Sequence, residues 1–418
     1  MGLRDIIKNK DNTVKNSSYG AHTAEFRNRE PFVFIHGWNG WGGDEGVDKL
    51  VPYWGATTGN LMEYLQSEGY ECYSASVGPL NSAWDRACEL YAQLTGTVVD
   101  YGEAHSAKFN HARFGRKYSE PMVPGWGNLD DEGKIKQVHL IGHSFGGTTA
   151  RMLVHLLENG SQEELSATDP DSVSELFKGG KANWIKSVTA VSTPHNSGSV
   201  YYPLKFLGIY NIVMNASLAY VGTLGRSSLS GKWVDFHMEQ FGLSKNPETG
   251  KAEKFIPAFI NAHANQEDTC QFEITPTGAK RLNDMMDASP SVYYFSYPFS
   301  TTVEVPRIGT HVPRLRTNPV ISLTSVVMGF MKFTDPVTGV VYDEKWFPND
   351  ALVQAEGAKH PVDEPYKDYD SDCIERGIWQ VMPVSRGDHG SAVGLLGNKK
   401  ETQELYLKMC EKLNALPD

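Results

Sequence analysis

The sequence is poor in cysteine: Cys72, Cys88, Cys270, Cys373 and Cys410 are its 5 thiols in 418 residues. An odd number leaves at least one unpaired within the chain. No spacing resembles a zinc ribbon or a CxxC redox pair. A disulfide framework is therefore excluded as the main source of stability, and the length allows one large core or two domains. Positive charge is also short. The 39 Lys and Arg face 50 Asp and Glu, a net charge of -11. That balance excludes the basic footprint of a nucleic-acid binder. The N-terminal stretch "MGLRDIIKNKDNTVKNSS" lacks an apolar h-region, so no signal peptide is visible. Residues 1–30 read as a polar arm ahead of a domain at 31–418.

Charge is missing from one 20-residue run, "FLGIYNIVMNASLAYVGTLG", residues 206–225. Its length suits a bilayer span. Yet it contains Asn211, Asn215, Ser217 and three glycines, and it interrupts an alternation of strands and helices. No transmembrane segment is assigned to it. Two readings stay open: a buried core helix, or a mobile amphipathic lid over an apolar pocket.

What is present points to chemistry. "VHLIGHSFGGTTARMLVHLLENG", residues 138–160, places a Gly-His-Ser-Phe-Gly turn between an apolar strand and a helical pattern. In the strand–GxSxG–helix context the serine stands exposed at the top of a sheet. Ser144 is thus the candidate nucleophile, and it needs a base. His389, in "SRGDHGSAV", is the preferred base; His360, in "AKHPVD", is the alternative. Asp350, in "KWFPNDALV", is the candidate acid, with Asp343, Asp363 and Asp368 as competitors. The order Ser, Asp, His along the chain is the one α/β-hydrolases use. Oxyanion N–H groups are expected from Phe145, directly after the serine, and from Trp38 in "FIHGWNGWG". Strands are predicted at 31–38, before Ser144, at 184–195 and at 291–297, with helices at 59–68, 148–157 and 277–288. The alternation implies a mainly parallel sheet covered by helices on both faces.

Several stretches together resemble the true lipases of thermophilic bacilli and staphylococci. They are "HGWNGWG", "YWGATTGNL", "VGPLNSAWDRACELYAQLTGTVVDYGEAHSAKFNHARFGR", "GHSFGGTTARMLVHLLENGSQEE", "STPHNSG" and "WFPNDALV". The resemblance runs from about residue 31 to the C-terminus. It implies an α/β-hydrolase fold with a zinc-clipped insertion at 77–116 and a helical lid near 200–245. It also implies carboxylester hydrolysis, with acylglycerol at an oil–water interface as substrate and an extracellular location. It carries the catalytic roles to Ser144, Asp350 and His389, and the oxyanion roles to Trp38 and Phe145. It assigns a structural zinc to Asp85, His105, His111 and Asp235, with His237 a nearby rival. The family's calcium site would fall around Gly309 and after His389. There Ser391 and Leu396 stand where carboxylates are expected, so no calcium is assigned. A short-chain carboxylesterase with the same triad is the nearest alternative, and a non-catalytic binding protein on the same fold a more distant one.

Overall fold

Alternation along the first strand sets the layers of the molecule. Phe32 and Phe34 point into one core cluster, Val33 and Ile35 into another, and all four are fully buried. A strand buried on both faces belongs inside a parallel sheet sandwiched by helices. The computed structural model describes residues 13–14, 26–197, 200–226, 237, 239–241 and 266–418, with side chains for all but 13–14 and 219–226. Its central sheet is built from β1 (Phe32–Ile35), β2 (Cys72–Ala75), β3 (Val138–His143), β4 (Ile185–Val191), β5 (Tyr293–Tyr297), β6 (Tyr366–Asp368) and β7 (Trp379–Val381). The spatial order is β6-β7-β5-β4-β3-β1-β2, and every neighbouring pair is parallel. The four strands expected from sequence fall on β1, β3, β4 and β5.

Parallel neighbours need crossovers, and helices supply them. In chain order they are α1 (Leu61–Ser67), α2 (Ala83–Thr95), α3 (Glu103–Phe109), α4 (Phe145–Asn159), α5 (Tyr201–Phe206), α6 (Tyr210–Arg226), α7 (Pro276–Met285), α8 (Ser322–Met328) and α9 (Lys399–Asn414). The starts are marked by side-chain caps: Ser82 accepts from Asp85 N, Thr275 from Gly278 N, and Asn398 from Lys400 N. One face of the sheet is covered by α2, α4 and α7, through Leu90, Leu94, Leu153, Leu157 and Leu282. The other is covered by α1 and α9, through Leu61, Leu65, Tyr406, Met409 and Leu413. Within the 77–116 segment, α2 belongs to this main core.

The uncharged run becomes α5 and α6 at the surface. Met214 and Leu218 are buried, while Ile212 is 66% exposed and Asn211, Asn215 and Ala216 face solvent. Its described side chains, residues 206–218, are not enclosed as those of a core helix would be. No helix among the described residues is long and apolar enough to cross a membrane.

Candidate active site and metal centre

Ser144 sits where β3 turns into α4, with φ 54° and ψ −128°. Such a conformation is strained for a residue with a side chain, and surroundings must enforce it. Ser144 N donates to Val191 O at 2.8 Å on the neighbouring strand. Gly146 has no room for a side chain: a Cβ there would lie 2.2 Å from the Ile35 carbonyl oxygen. The helix begins immediately at Phe145, so its N-terminus and its positive dipole end lie beside the serine. The "FIHGWNGWG" loop also arrives here. A Cβ on Gly37 would stand 2.8 Å from the Ser144 Cβ.

Two buried side chains fix that loop. Arg86, fully buried on α2, donates Nη1 to Gly78 O at 2.8 Å, Nε to Thr149 Oγ1 at 2.8 Å, and Nη2 to His36 O. It thereby ties α2, α4 and the residue before Gly37 together. Tyr53 accepts from Gly37 N at 3.0 Å, and its hydroxyl lies 2.7 Å from His143 Nδ1. His143 Nε2 reaches the His389 carbonyl at 3.1 Å. Burial, and then the neighbouring His389, hold His143 well below the usual imidazole range. A neutral ring fits both contacts: Tyr53 O–H donates to Nδ1, and Nε2–H donates to the carbonyl.

His389 and Asp350 meet. His389 Nδ1 lies 2.8 Å from Asp350 Oδ2, and His389 N donates to Asp350 O at 2.8 Å. The other carboxylate oxygen, Oδ1, accepts from Leu352 N at 2.9 Å and Val353 N at 2.6 Å. The competing residues lie elsewhere. His360 stacks on Tyr366 with centroids 3.6 Å apart. Asp343 caps the turn at Glu344–Trp346, and Asp368 lies in edge strand β6. The loop carrying His389 is braced by its neighbour: Asp388 Oδ1 accepts from Ser391 N at 2.8 Å and Oδ2 from Asn318 N at 2.9 Å. This brace occupies the stretch where the resemblance would place calcium ligands.

The oxyanion loop meets α6. Trp38 packs with Val200, Leu204, Met214 and Leu352. Asn39, at φ 56°, exchanges hydrogen bonds with Ser217: Nδ2 to Oγ at 2.9 Å and Oγ to Oδ1 at 3.0 Å.

A second cluster joins Asp85, His105, His111 and Asp268, whose ligand atoms all lie within 4.8 Å of one another. His105 Nε2 is 3.2 Å from both Asp85 Oδ1 and Asp268 Oδ1, and His111 Nε2 is 3.3 Å from Asp268 Oδ2. Asp85 Oδ1, His105 Nε2, His111 Nε2 and Asp268 Oδ2 are buried without a hydrogen bond. Burial and the nearby Asp268 push Asp85 up. Four convergent orphan atoms, two from carboxylates and two from imidazoles, suit a metal ion. His111 Nδ1 faces Ala112 O at 2.9 Å, which leaves Nε2 free to bind, and Gln240 Nε2 donates to Asp85 Oδ2 at 3.0 Å. Asp268 is the member that sequence reading missed. Asp235, expected in its place, lies outside the described residues. His237 pairs instead with Glu45, 3.2 Å away.

The chain is similar to known proteins along most of its length. Residues 28–414 match the family described as "Lipase-like, C-terminal domain". The lipase of Staphylococcus hyicus is 34% identical over 376 residues, covering 88% of this chain and 54% of that protein. The chain spans about half the length of the lipase sequences it matches. The crystal structure of S. hyicus lipase superposes with a TM-score of 0.78 at 31% identity, covering 94% of this chain and 98% of that one. EstA from Clostridium botulinum gives 0.76 at 32%, covering 100% and 95%.

Proposed function

Because this chain belongs to the bacterial lipase family that includes S. hyicus lipase, we propose that it is a serine carboxylester hydrolase acting on acylglycerols. The observation that carries the reading is the pairing of His389 with Asp350 beside a strained serine turn. In this reading Ser144 Oγ attacks the ester carbonyl while His389 Nε2 takes its proton. Asp350 holds the ring with Nε2 toward the serine and stabilises the imidazolium that forms. The N–H groups of Trp38 and Phe145 receive the negative charge on the carbonyl oxygen. His389 then protonates the departing alcohol, and water attacks the acyl-enzyme by the same route in reverse.

The metal cluster is read as a structural zinc site held by Asp85, His105, His111 and Asp268. A bound zinc would crosslink α2, the α3 segment and the stretch before α7, with no part in the bond-breaking step. The Asp388 brace takes the place of calcium in holding the His389 loop. Of the expected lid region 200–245, residues 200–226 are read as the lid, because α6 covers Trp38 and is fastened by Asn39 and Ser217; most of the remainder lies outside the described residues. An extracellular location follows from the family resemblance.

Rates on p-nitrophenyl esters of increasing chain length, measured below and above the solubility limit, test the substrate class. A lipase rises sharply above that limit, and Ser217→Ala, which unfastens α6, raises activity below it. A smooth saturation curve favouring the shortest chain, unchanged in Ser217→Ala, favours the short-chain esterase.

A further inference from the structure

Helix α8 and its flanks show apolar side chains to solvent as well as to the core. Along 320–330, Val320, Leu323, Val326 and Phe330 recur at helical spacing and are all exposed, Val320 by 86%. The buried side of the same helix carries Thr324 and Ser325 beside Val327 and Met328. A surface helix ordinarily places polar residues outward. The inward hydroxyl has a reason: Thr324 Oγ1 donates to Ala351 O at 2.6 Å, beside Asp350. The outward apolar row has no counterpart among the described residues. It continues onto α5, where Phe206, 66% exposed, meets Phe330 with ring centroids 6.4 Å apart. Leu315, just before α8, is fully exposed. Contiguous apolar surface of this kind marks a partner.

Charge tells which partner. The chain carries a net -11, yet residues 196–226 and 305–331 contain no Asp or Glu. They contain Lys205, Arg226, Arg307, Arg314 and Arg316. The acids beneath this face, Asp335, Asp350 and Asp388, are buried and hydrogen-bonded, Asp335 by Val337 N and Thr338 N and the other two as described above. An apolar row set in an acid-free, basic segment complements a surface that is greasy and negative. The face also adjoins the proposed catalytic residues, since Asn318 N donates to Asp388 and Asn349 Nδ2 to Ser325 O at 3.2 Å.

We propose that the α5–α8 face seats the protein on an anionic lipid surface. The inference deepens the lipid-ester reading and rests on it for the orientation of the active site toward the lipid. The apolar row enters the interface, and Lys205 and Arg316 meet the negative headgroups. Docking through this face does not require α6 to move.

The test is co-sedimentation of the full chain with vesicles of non-hydrolysable diether phosphatidylcholine, alone or mixed with diether phosphatidylglycerol. Hydrolysis of a water-soluble short ester is followed in parallel. Binding to the mixed vesicles should exceed binding to the neutral ones and weaken with salt. Arg316→Gln should lower it about fivefold. Leu323→Glu should lower it more than Arg316→Gln does, while the soluble-ester rate stays at the wild-type value. Should Leu323→Glu fail to fold, the exposed Arg316→Gln carries the test. Equal binding to both vesicles, or binding untouched by both substitutions, overturns the proposal. A lipid-independent dimer that Leu323→Glu dissociates, with no vesicle binding, assigns the face to self-association and also overturns it. Loss of soluble-ester hydrolysis in the wild type would sink the hydrolase reading instead, and the sedimentation result would still stand on its own.

Discussion

Asp350 holds His389 twice, once through its carboxylate on Nδ1 and once through its backbone carbonyl on the histidine N–H, each at 2.8 Å. The carboxylate orients the ring, and the backbone bond fixes the loop from which the ring projects. These two roles separate on substitution. Asp350→Asn keeps the backbone bond but presents the wrong partner to Nδ1. It is expected to lower kcat by about four orders of magnitude, with little change in KM or in the melting temperature. Full activity in this variant, alongside an inactive Asp343→Asn or Asp363→Asn, would reassign the acid.

Tyr53 and His143 join the oxyanion loop to the His389 loop. Tyr53→Phe keeps the ring but removes the hydroxyl that receives Gly37 N–H and serves His143. A kcat loss of about tenfold at nearly constant KM is expected, the size of one well-placed hydrogen bond. Wild-type kcat in Tyr53→Phe would show that the bridge is only packing.

Zinc removal by a chelator should lower the melting temperature, and zinc added back should restore it, because binding to a folded site adds to folding free energy. Calcium added alone should restore little. Asp268→Asn should weaken zinc binding by at least about tenfold. Asp235→Asn should leave it unchanged. The opposite ranking, read by titration against a zinc-binding dye, would return the fourth position to Asp235.

Stability should peak near pH 6.5 when the zinc site is kept saturated. Burial lowers His36 and His139 to about 3, and holds His143 and His195 well below their usual range. Below about 6.5 the unfolded chain therefore takes up protons at these four positions that the folded chain refuses, and stability falls with pH. Burial pushes Glu89 and Glu273 up to about 8 and Asp48 to about 6. For these three the folded chain holds protons that the unfolded chain has lost, so stability falls as pH rises through each folded value. Between about 4.5 and 6.5 the four histidines, joined in the same direction by His155, His311 and His360, outweigh the three acids; above that range the two glutamates lower stability, joined toward pH 9 by the thiols of Cys72, Cys88, Cys270 and Cys410, which burial pushes up. Melting temperatures across pH 4.5–9 check the peak; a steady rise to pH 9 would contradict the glutamate assignment.

The serine turn was legible because three local signals coincide within a few residues: a run of buried strand residues, glycines that only a tight turn demands, and a helical period. His389 was legible for its glycine-rich loop near the C-terminus. Asp350 was separable from Asp343, Asp363 and Asp368 only through the family resemblance, since its distinction is a tertiary contact. Asp268 was missed for the same reason. "NQEDTC" carries no spacing that relates it to His105 or His111. Arg86 left one faint trace, a cation within the buried helix α2, but its targets, two backbone carbonyls and the Thr149 hydroxyl, are tertiary contacts that sequence does not display. Strands β6 and β7 have three residues each, too few to show a period.

Covalent labelling tests directly whether Ser144 is the nucleophile. The protein is treated with a fluorophosphonate, digested, and the modified peptide read by mass spectrometry, with ester hydrolysis followed in the same sample. One label on Ser144 is expected, with loss of activity in step with labelling and neither label nor turnover in a folded Ser144→Ala protein. A label on another serine, or substantial turnover by folded Ser144→Ala, would contradict it.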